Sequence, residues 1–93
     1  MKNSEVKRME GQRLILSDRT IIENGHAGQS SGFLWLWLPG WTMAEAAQKA
    51  FNPSAFQTVI YQYGEMEDTF TGFTVCTNIM QQDDEIAICM VKG

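Results

Sequence analysis

One apolar run limits the folds open to this 93-residue chain more than any other feature. From Phe33 to Leu38 the sequence reads FLWLWL, so aromatic side chains alternate with leucines. Successive side chains of an extended strand point to opposite faces, which separates an aromatic layer, Phe33, Trp35 and Trp37, from a leucine layer. Strands that are apolar on both faces are usually covered on both sides. The run therefore predicts a central strand, and Pro39 ends it because proline cannot donate to a ladder.

A helix is predicted directly after this strand, over residues 42–52. Thr42 and Glu45 have the spacing of a capping box, in which each side chain satisfies a backbone amide of the first turn. Asn52 and Pro53 supply the stop. Five apolar residues recur at helical spacing and are predicted to pack inward as one stripe, namely Met43, Ala46, Ala47, Ala50 and Phe51.

The segment before the central strand reads as one hairpin and a loop. Residues 13–16 and 20–23 are predicted to be strands around a turn rich in turn formers, with Leu16 opposite Ile21. Residues 24–32, NGHAGQSSG, are small and polar and predict a flexible connector.

Three further strands are predicted after the helix, at residues 55–63, 69–81 and 86–91. Gly72 is expected to mark a bulge or a close backbone approach within the long middle strand. The turns between these strands are acidic. Solvated hairpin tips explain such residues better than a catalytic or calcium-binding site does. Because the two turns would lie at opposite ends of a shared strand, their carboxylates are not expected to converge.

These elements predict one domain, residues 1–93, of the α+β class. Its antiparallel sheet would have five or six strands, or would close partly into a barrel, with the main helix between the third and fourth strands. Residues 1–12 are polar and mixed in charge, and either a flexible arm or an edge strand fits them.

The composition argues against several kinds of chemistry. The net charge of −4 argues against nucleic acid as a direct partner, because phosphate binding needs a basic surface. Cys76 and Cys89 form no metal-binding spacing with the single His26 and are predicted to be reduced and buried. A disulfide between them would need one particular register of their strands. His26 lies near Ser30 and Ser31 in the sequence, but no acidic residue is placed so as to suggest the third member of a catalytic triad. No enzyme activity, cofactor, metal or small-molecule substrate is therefore predicted, and no apolar run approaches the ~20 residues of a membrane span.

The surplus of apolar surface favours a binding protein. The helix has eleven residues and would span about 16 Å, which is enough for one face of the sheet. The other face must be closed by curling the sheet or by another chain. Aromatic residues are favoured at the centres of interfaces, which makes four residues the interface candidates: Phe33, Trp35, Trp37 and Trp41.

A family resemblance is carried by three segments, LSDRTIIENG, LWLWLPGWTMAEAAQKAF and YQYGEMEDTFTGFT. They resemble short uncharacterised proteins encoded by phages and prophages of gut Firmicutes. Where that pattern often has Asp-Gly-Thr in the first turn, this chain has Asp18-Arg19-Thr20. The resemblance implies a phage- or prophage-derived protein and carries over no catalytic residue.

Two function classes remain open from the sequence. The first is a non-enzymatic structural or accessory protein that binds itself, as a homodimer, or another protein. The second is a phage-encoded inhibitor that binds and blocks a host protein such as a defence nuclease. Either would act in the cytoplasm of a bacterial host or within a phage particle.

Overall fold

The computed structural model describes residues 11–92, with the side chains of Pro53 and residues 74–77 left aside. Helix α1 (Met43–Ala50) and a 3₁₀ helix (Pro53–Phe56) lie between the fourth and fifth strands. The strands of the described chain are β1 (Gln12–Leu16), β2 (Ile21–Glu23), β3 (His26–Ser30), β4 (Phe33–Pro39), β5 (Thr58–Tyr63), β6 (Met66–Thr71), β7 (Phe73–Gln82) and β8 (Glu85–Lys92).

The strands form two antiparallel four-stranded sheets around one core. The first sheet has the order β2-β1-β5-β6 and the second has the order β3-β4-β8-β7. Buried side chains from both sheets, from α1 and from the 3₁₀ helix join in a single apolar cluster. The predicted α+β class is confirmed. The predicted single sheet of five or six strands is wrong, because the strands are divided between two four-stranded sheets.

The central position predicted for this strand is confirmed, whereas the cover predicted for both of its faces is complete only on the leucine face. β4 lies between β3 and β8 in the second sheet. Its leucines, Leu34, Leu36 and Leu38, are each 0% exposed and belong to the core. The aromatic residues of the same strand therefore point to the outer face of this sheet.

The predicted long strand at residues 69–81 is two strands. β6 belongs to the first sheet and β7 to the second, and Gly72 stands between them with a φ of +84°. L-residues with side chains rarely adopt that conformation. Gly72 is therefore the point at which the chain changes sheets, and the bulge predicted there is a sharper break.

The predicted loop at residues 24–32 is also wrong, because its middle forms β3. β3 pairs with β4 along its whole length, from His26 opposite Trp37 to Ser30 opposite Phe33. Ser31 and Gly32 connect the two strands with φ values of 48° and 84°, as a type I′ hairpin turn requires. The small and polar residues of this segment do not predict a strand, but pairing with β4 stabilises one.

The first hairpin is shifted by one residue from its predicted register. Ile21 lies opposite Ile15 rather than Leu16. The turn holds Arg19 at a φ of 73°, and the amide of Arg19 donates to the carbonyl of Leu16 at 2.9 Å. This register sends Leu14, Leu16 and Ile22 into the core and leaves Ile21 51% exposed.

The start of the chain is described only from Gly11 onwards. The prediction of an arm or edge strand for residues 1–12 therefore lies mostly outside the described residues. Gln12 is part of β1 and is 6% exposed. Its side-chain oxygen accepts a hydrogen bond from the hydroxyl of Tyr61, which satisfies the amide oxygen at a buried position.

Helix α1 begins at its predicted cap. The amide of Glu45 donates to Thr42 Oγ1 at 3.1 Å, and the amide of Thr42 donates to Glu45 Oε1 at 3.0 Å. The predicted inward stripe is wrong for its large members, since Met43 is 42% and Phe51 87% exposed. The helix contacts β7, β8 and the 3₁₀ helix, and Ala46 is its buried residue. No helix of residues 11–92 is long and apolar enough to cross a membrane.

We expect Thr42→Ala to lower the free energy of unfolding by about 0.5–2 kcal/mol, because the capping hydrogen bonds are lost. Chemical denaturation measures the change. Gln48→Ala, at an exposed position of the same helix, is the control, and we expect it to leave the midpoint nearly unchanged. An equal midpoint for both variants would mean that the cap does not stabilise the helix.

One ion pair ties the helix to the first hairpin. Lys49 Nζ lies 2.7 Å from Asp18 Oδ2 and also donates to Thr20 Oγ1 at 3.0 Å. Partial burial raises the pKa of Asp18, but it is outweighed by hydrogen bonds from Lys49 and Thr20 and by the Lys49 charge. The net effect lowers the pKa of Asp18 from 3.8 to about 2.

A carboxylate with a lowered pKa stabilises the fold above its ordinary pKa, and this contribution is lost as the pH falls through the folded value. We therefore expect Asp18→Asn to lower the free energy of unfolding at pH 7 by roughly 0.5–1 kcal/mol, since the pair is partly solvated. The difference from the wild type should shrink between about pH 4 and pH 2, as measured by denaturation across that range. A difference that persists unchanged at pH 2 would contradict a role for the Asp18 charge.

Candidate protein interface

The candidate site is the outer face of the second sheet. Phe33, Trp35 and Trp37 of β4 form a stripe along it, here called the aromatic stripe. The register sets His26 opposite Trp37 on one side and Val91 opposite Phe33 on the other. The structure therefore brings three of the four predicted interface residues onto one surface.

Three rings of this face, those of His26, Trp37 and Trp35, are stacked in a row. The His26 and Trp37 rings lie 4.5 Å apart between centroids, with 14° between their planes. Trp35 and Trp37 follow at 6.3 Å and 26°. Stacked aromatic pairs add to the energy of their burial. The rings consequently form a preordered surface rather than a set of separate mobile side chains.

The residues beside the aromatic stripe on β8 are small and buried, and the stripe itself remains partly open to water. Ala87 and Cys89 lie opposite Trp37 and Trp35 in register and are 0% and 4% exposed, although they belong to the outer face. Phe33 is 42% exposed, and the two tryptophans are partly buried. The burial predicted for Cys89 is confirmed. The side chain of Cys76 is outside the described ones, and the reduced state of both stays a prediction.

Trp41, the fourth predicted interface residue, lies elsewhere. It comes after the turn at Gly40 and packs partly against the core. It also lines an open groove of about 710 Å³ beside the polar side of α1, together with Glu45, Gln48, Lys49 and Asn52. The structure therefore separates Trp41 from the aromatic stripe.

His26 belongs to the site, although the sequence placed it in a loop. The Ser31-Gly32 pair is a turn signal, and a two-residue turn closed by Ser30 and Phe33 would have set His26 opposite Trp37. Strand geometry places the α-carbons of His26 and Ser30 about 13 Å apart, so these two residues do not form a nucleophile and base pair. Among residues 11–92 no three His, Cys, Asp or Glu residues are grouped to hold a metal.

The outer face of the first sheet is mixed, with a polar row beside a row of isoleucines. Arg13 Nε donates to Gln62 Oε1 at 2.9 Å, and Gln62 Nε2 donates to Glu67 Oε1 at 3.0 Å. This polar row crosses β1, β5 and β6. Next to this row on the same face lie Ile21, Ile15 and Ile60, paired in register across β2, β1 and β5. Polar and charged side chains thus interrupt the apolar surface of this face, whereas the aromatic stripe is apolar along its length.

The two acidic turns lie in different sheets. The β5–β6 hairpin belongs to the first sheet, and the β7–β8 turn, with Asp83 and Asp84, belongs to the second. Glu85 begins β8 opposite Pro39, at one end of the aromatic face. Burial, and then the charges of Asp84 and Asp83, raise the pKa of Glu85. This carboxylate is thus partly desolvated where the aromatic face ends.

Comparison with known proteins finds no matching family model, no matching curated protein and no matching solved structure, and the function is therefore inferred from this surface itself.

Proposed function

We propose that the chain is a non-enzymatic structural or accessory protein that acts by binding protein, first of all a second copy of itself. Its binding surface is the aromatic stripe with His26. In keeping with the resemblance of three of its segments, we assign it to a phage or prophage. Its place of action would then be the cytoplasm of a bacterial host or a phage particle.

The contrast between the two outer faces carries this proposal. One outer face sets a row of hydrogen-bonded polar side chains, which includes Arg13, Gln62 and Glu67, beside its isoleucines. The other outer face presents stacked aromatic rings. A monomer that needed only to stay folded could carry polar residues on both outer faces. Clustered exposed aromatic residues instead mark interaction sites.

A second copy suits this surface because of its charge. The chain has a net charge of −4, so two copies repel each other in general. The described acidic residues of the second sheet lie at the β7–β8 end, at Asp83, Asp84 and Glu85, and the stripe itself has no acid. Two stripes can therefore meet without opposed carboxylates.

Sedimentation of the wild type, of Trp35→Ser and of Trp37→Ser tests the proposal. We expect a concentration-dependent dimer for the wild type, and a dissociation constant raised at least 30-fold in each variant, since buried interface aromatics often contribute 2 kcal/mol or more. Ile21→Ser is the matched control, because Ile21 is 51% exposed on the outer face of the other sheet. We expect it to leave the dimer unchanged.

Two outcomes would contradict self-association through this face. In the first, the wild type stays monomeric at high concentration. In the second, the tryptophan variants are folded and as dimeric as the wild type. A folded monomer would direct the search to a foreign partner, which is the inhibitor alternative, and the same two variants would then be compared for capture of that protein.

A further inference from the structure

The four edge strands of the described sheets are not equally protected. Natural sheets protect their edges with short strands, charges, bulges or covering elements. β2 has only three residues, and β6 carries Glu67 and Asp68. β7 has two register irregularities, and α1 packs against it. β3 has the sequence HAGQS, without an acidic residue, a lysine, an arginine or a proline, and its ladder with β4 is unbroken.

The turn before β4 determines which backbone groups of β3 face outwards. In a two-residue hairpin the flanking residues, here Ser30 and Phe33, form a hydrogen-bonded pair. Alternate residues of β3 therefore bond to β4, beginning with Ser30 and continuing with Gly28. The amides and carbonyls of Ala27 and Gln29 then point to the open edge. Within residues 11–92, β3 pairs in register with β4 alone.

We propose that β3 is the dimerisation edge, and that it pairs antiparallel with β3 of a second copy about a two-fold axis at Gly28. This register sets Ala27 opposite Gln29 of the partner subunit, and Gln29 opposite Ala27 of the partner subunit. In each of these two pairs the outward N–H and C=O groups form hydrogen bonds with each other. The two second sheets become one continuous eight-stranded sheet. The inference rests on the proposed self-association and specifies its geometry.

Gly28 explains how this edge joins the two aromatic stripes. The Trp37 ring lies over Gly28, since a β-carbon added there would be 3.6 Å from the indole. Across a pair of β3 strands the two β4 strands are three strand spacings apart, about 14 Å. The Trp37 indole of each copy leans from β4 towards the axis, and the paired glycines leave room between these two rings. The paired edge therefore places both stripes on the same face of one sheet.

Gln29→Pro tests the edge with little effect on the hairpin. Proline at this position removes an outward amide and leaves the bonds to β4 in place, which edge strands tolerate. The matched control is Thr69→Pro on the other sheet, because the two-residue turn closed by Tyr63 and Met66 also sends the Thr69 amide outwards. We expect Gln29→Pro to be folded by circular dichroism with its dissociation constant raised at least tenfold, and Thr69→Pro to dimerise like the wild type.

Amide hydrogen exchange on the wild type gives a second measurement that needs no variant. Raising the concentration through the dimer transition should slow exchange at Ala27 and Gln29 at least tenfold, while Gly28, bonded to β4, changes little. A dimer that is lost in Trp37→Ser but kept in Gln29→Pro, without added protection of Ala27 and Gln29, would overturn the edge pairing and leave the proposed function standing. A monomeric wild type would overturn both.

Discussion

Leu36→Ala is expected to lower the free energy of unfolding by about 2–5 kcal/mol, the range for removing a buried leucine side chain from a packed core. Leu36 is 0% exposed at the middle of β4, between Ala27 of β3 and Ile88 of β8 in register. It belongs to the core that both sheets share. Neighbouring strands fix the backbone on either side, so the cavity cannot collapse easily. Urea denaturation of dilute protein measures the change.

Ile21→Ala is the matched control, because it also converts a four-carbon side chain to a methyl group. Ile21 is 51% exposed on the outer face of the first sheet, and we expect a change of about 1 kcal/mol or less. Equal losses for both variants would contradict the assignment of the leucine layer to the shared core. A much smaller loss for Leu36→Ala would mean that the sheets repack around the missing side chain.

The central strand was predictable because both of its faces carry a strong signal. Six consecutive apolar residues, Phe33 to Leu38, rule out an edge position, and the period of two assigns each side chain to a layer. The helix cap was predictable for a similar reason, since Thr42 and Glu45 act on each other within one turn. Short-range patterns of this kind need no knowledge of the rest of the chain.

The number of sheets was not predictable from such patterns. Residues 69–81 are rich in strand formers, and a glycine within them fits a bulge as well as a break. The positive φ of Gly72 turns the chain from the first sheet into the second. That choice depends on which sheet can accept β7, and β7 pairs with β8, later in the chain. β3 was missed because its stability comes from pairing with β4 rather than from its own residues.

The candidate site was predictable in part. The period of two put Phe33, Trp35 and Trp37 together, and the structure keeps them together. It could not place Trp41, because the turn at Gly40, with a φ of 78°, removes the strand period. His26 joined the site only through the register of the β3–β4 hairpin. Which residues a neighbouring strand contributes to a surface depends on the register of pairing, and local sequence patterns do not determine that register.

Gly25→Ala is expected to lower the free energy of unfolding by about 1–3 kcal/mol, as overpacking of a filled core does. Gly25 is buried directly before β3, and its φ is not in the left-handed region, so backbone strain is not the reason. An added β-carbon would lie 2.8 Å from Ile22 Cγ2, 3.1 Å from Leu14 Cδ1 and 3.1 Å from the carbonyl oxygen of Trp37. The two core side chains cannot both move away without leaving their packed positions.

Gly28→Ala separates this steric effect from the general effect of adding a methyl group to β3. A β-carbon at Gly28 would meet only the Trp37 ring, at 3.6 Å, which is ordinary contact. Because glycine weakens strands by about 0.5–1 kcal/mol, we expect this variant to be as stable as the wild type or slightly more so, when denatured at a dilution that keeps it monomeric. Equal stability of the two alanine variants would contradict the close packing at Gly25. The clash with the Trp37 carbonyl involves the backbone of β4 itself, so Gly25→Ala should also shift β3 against the aromatic stripe and reduce the stacking of His26 on Trp37.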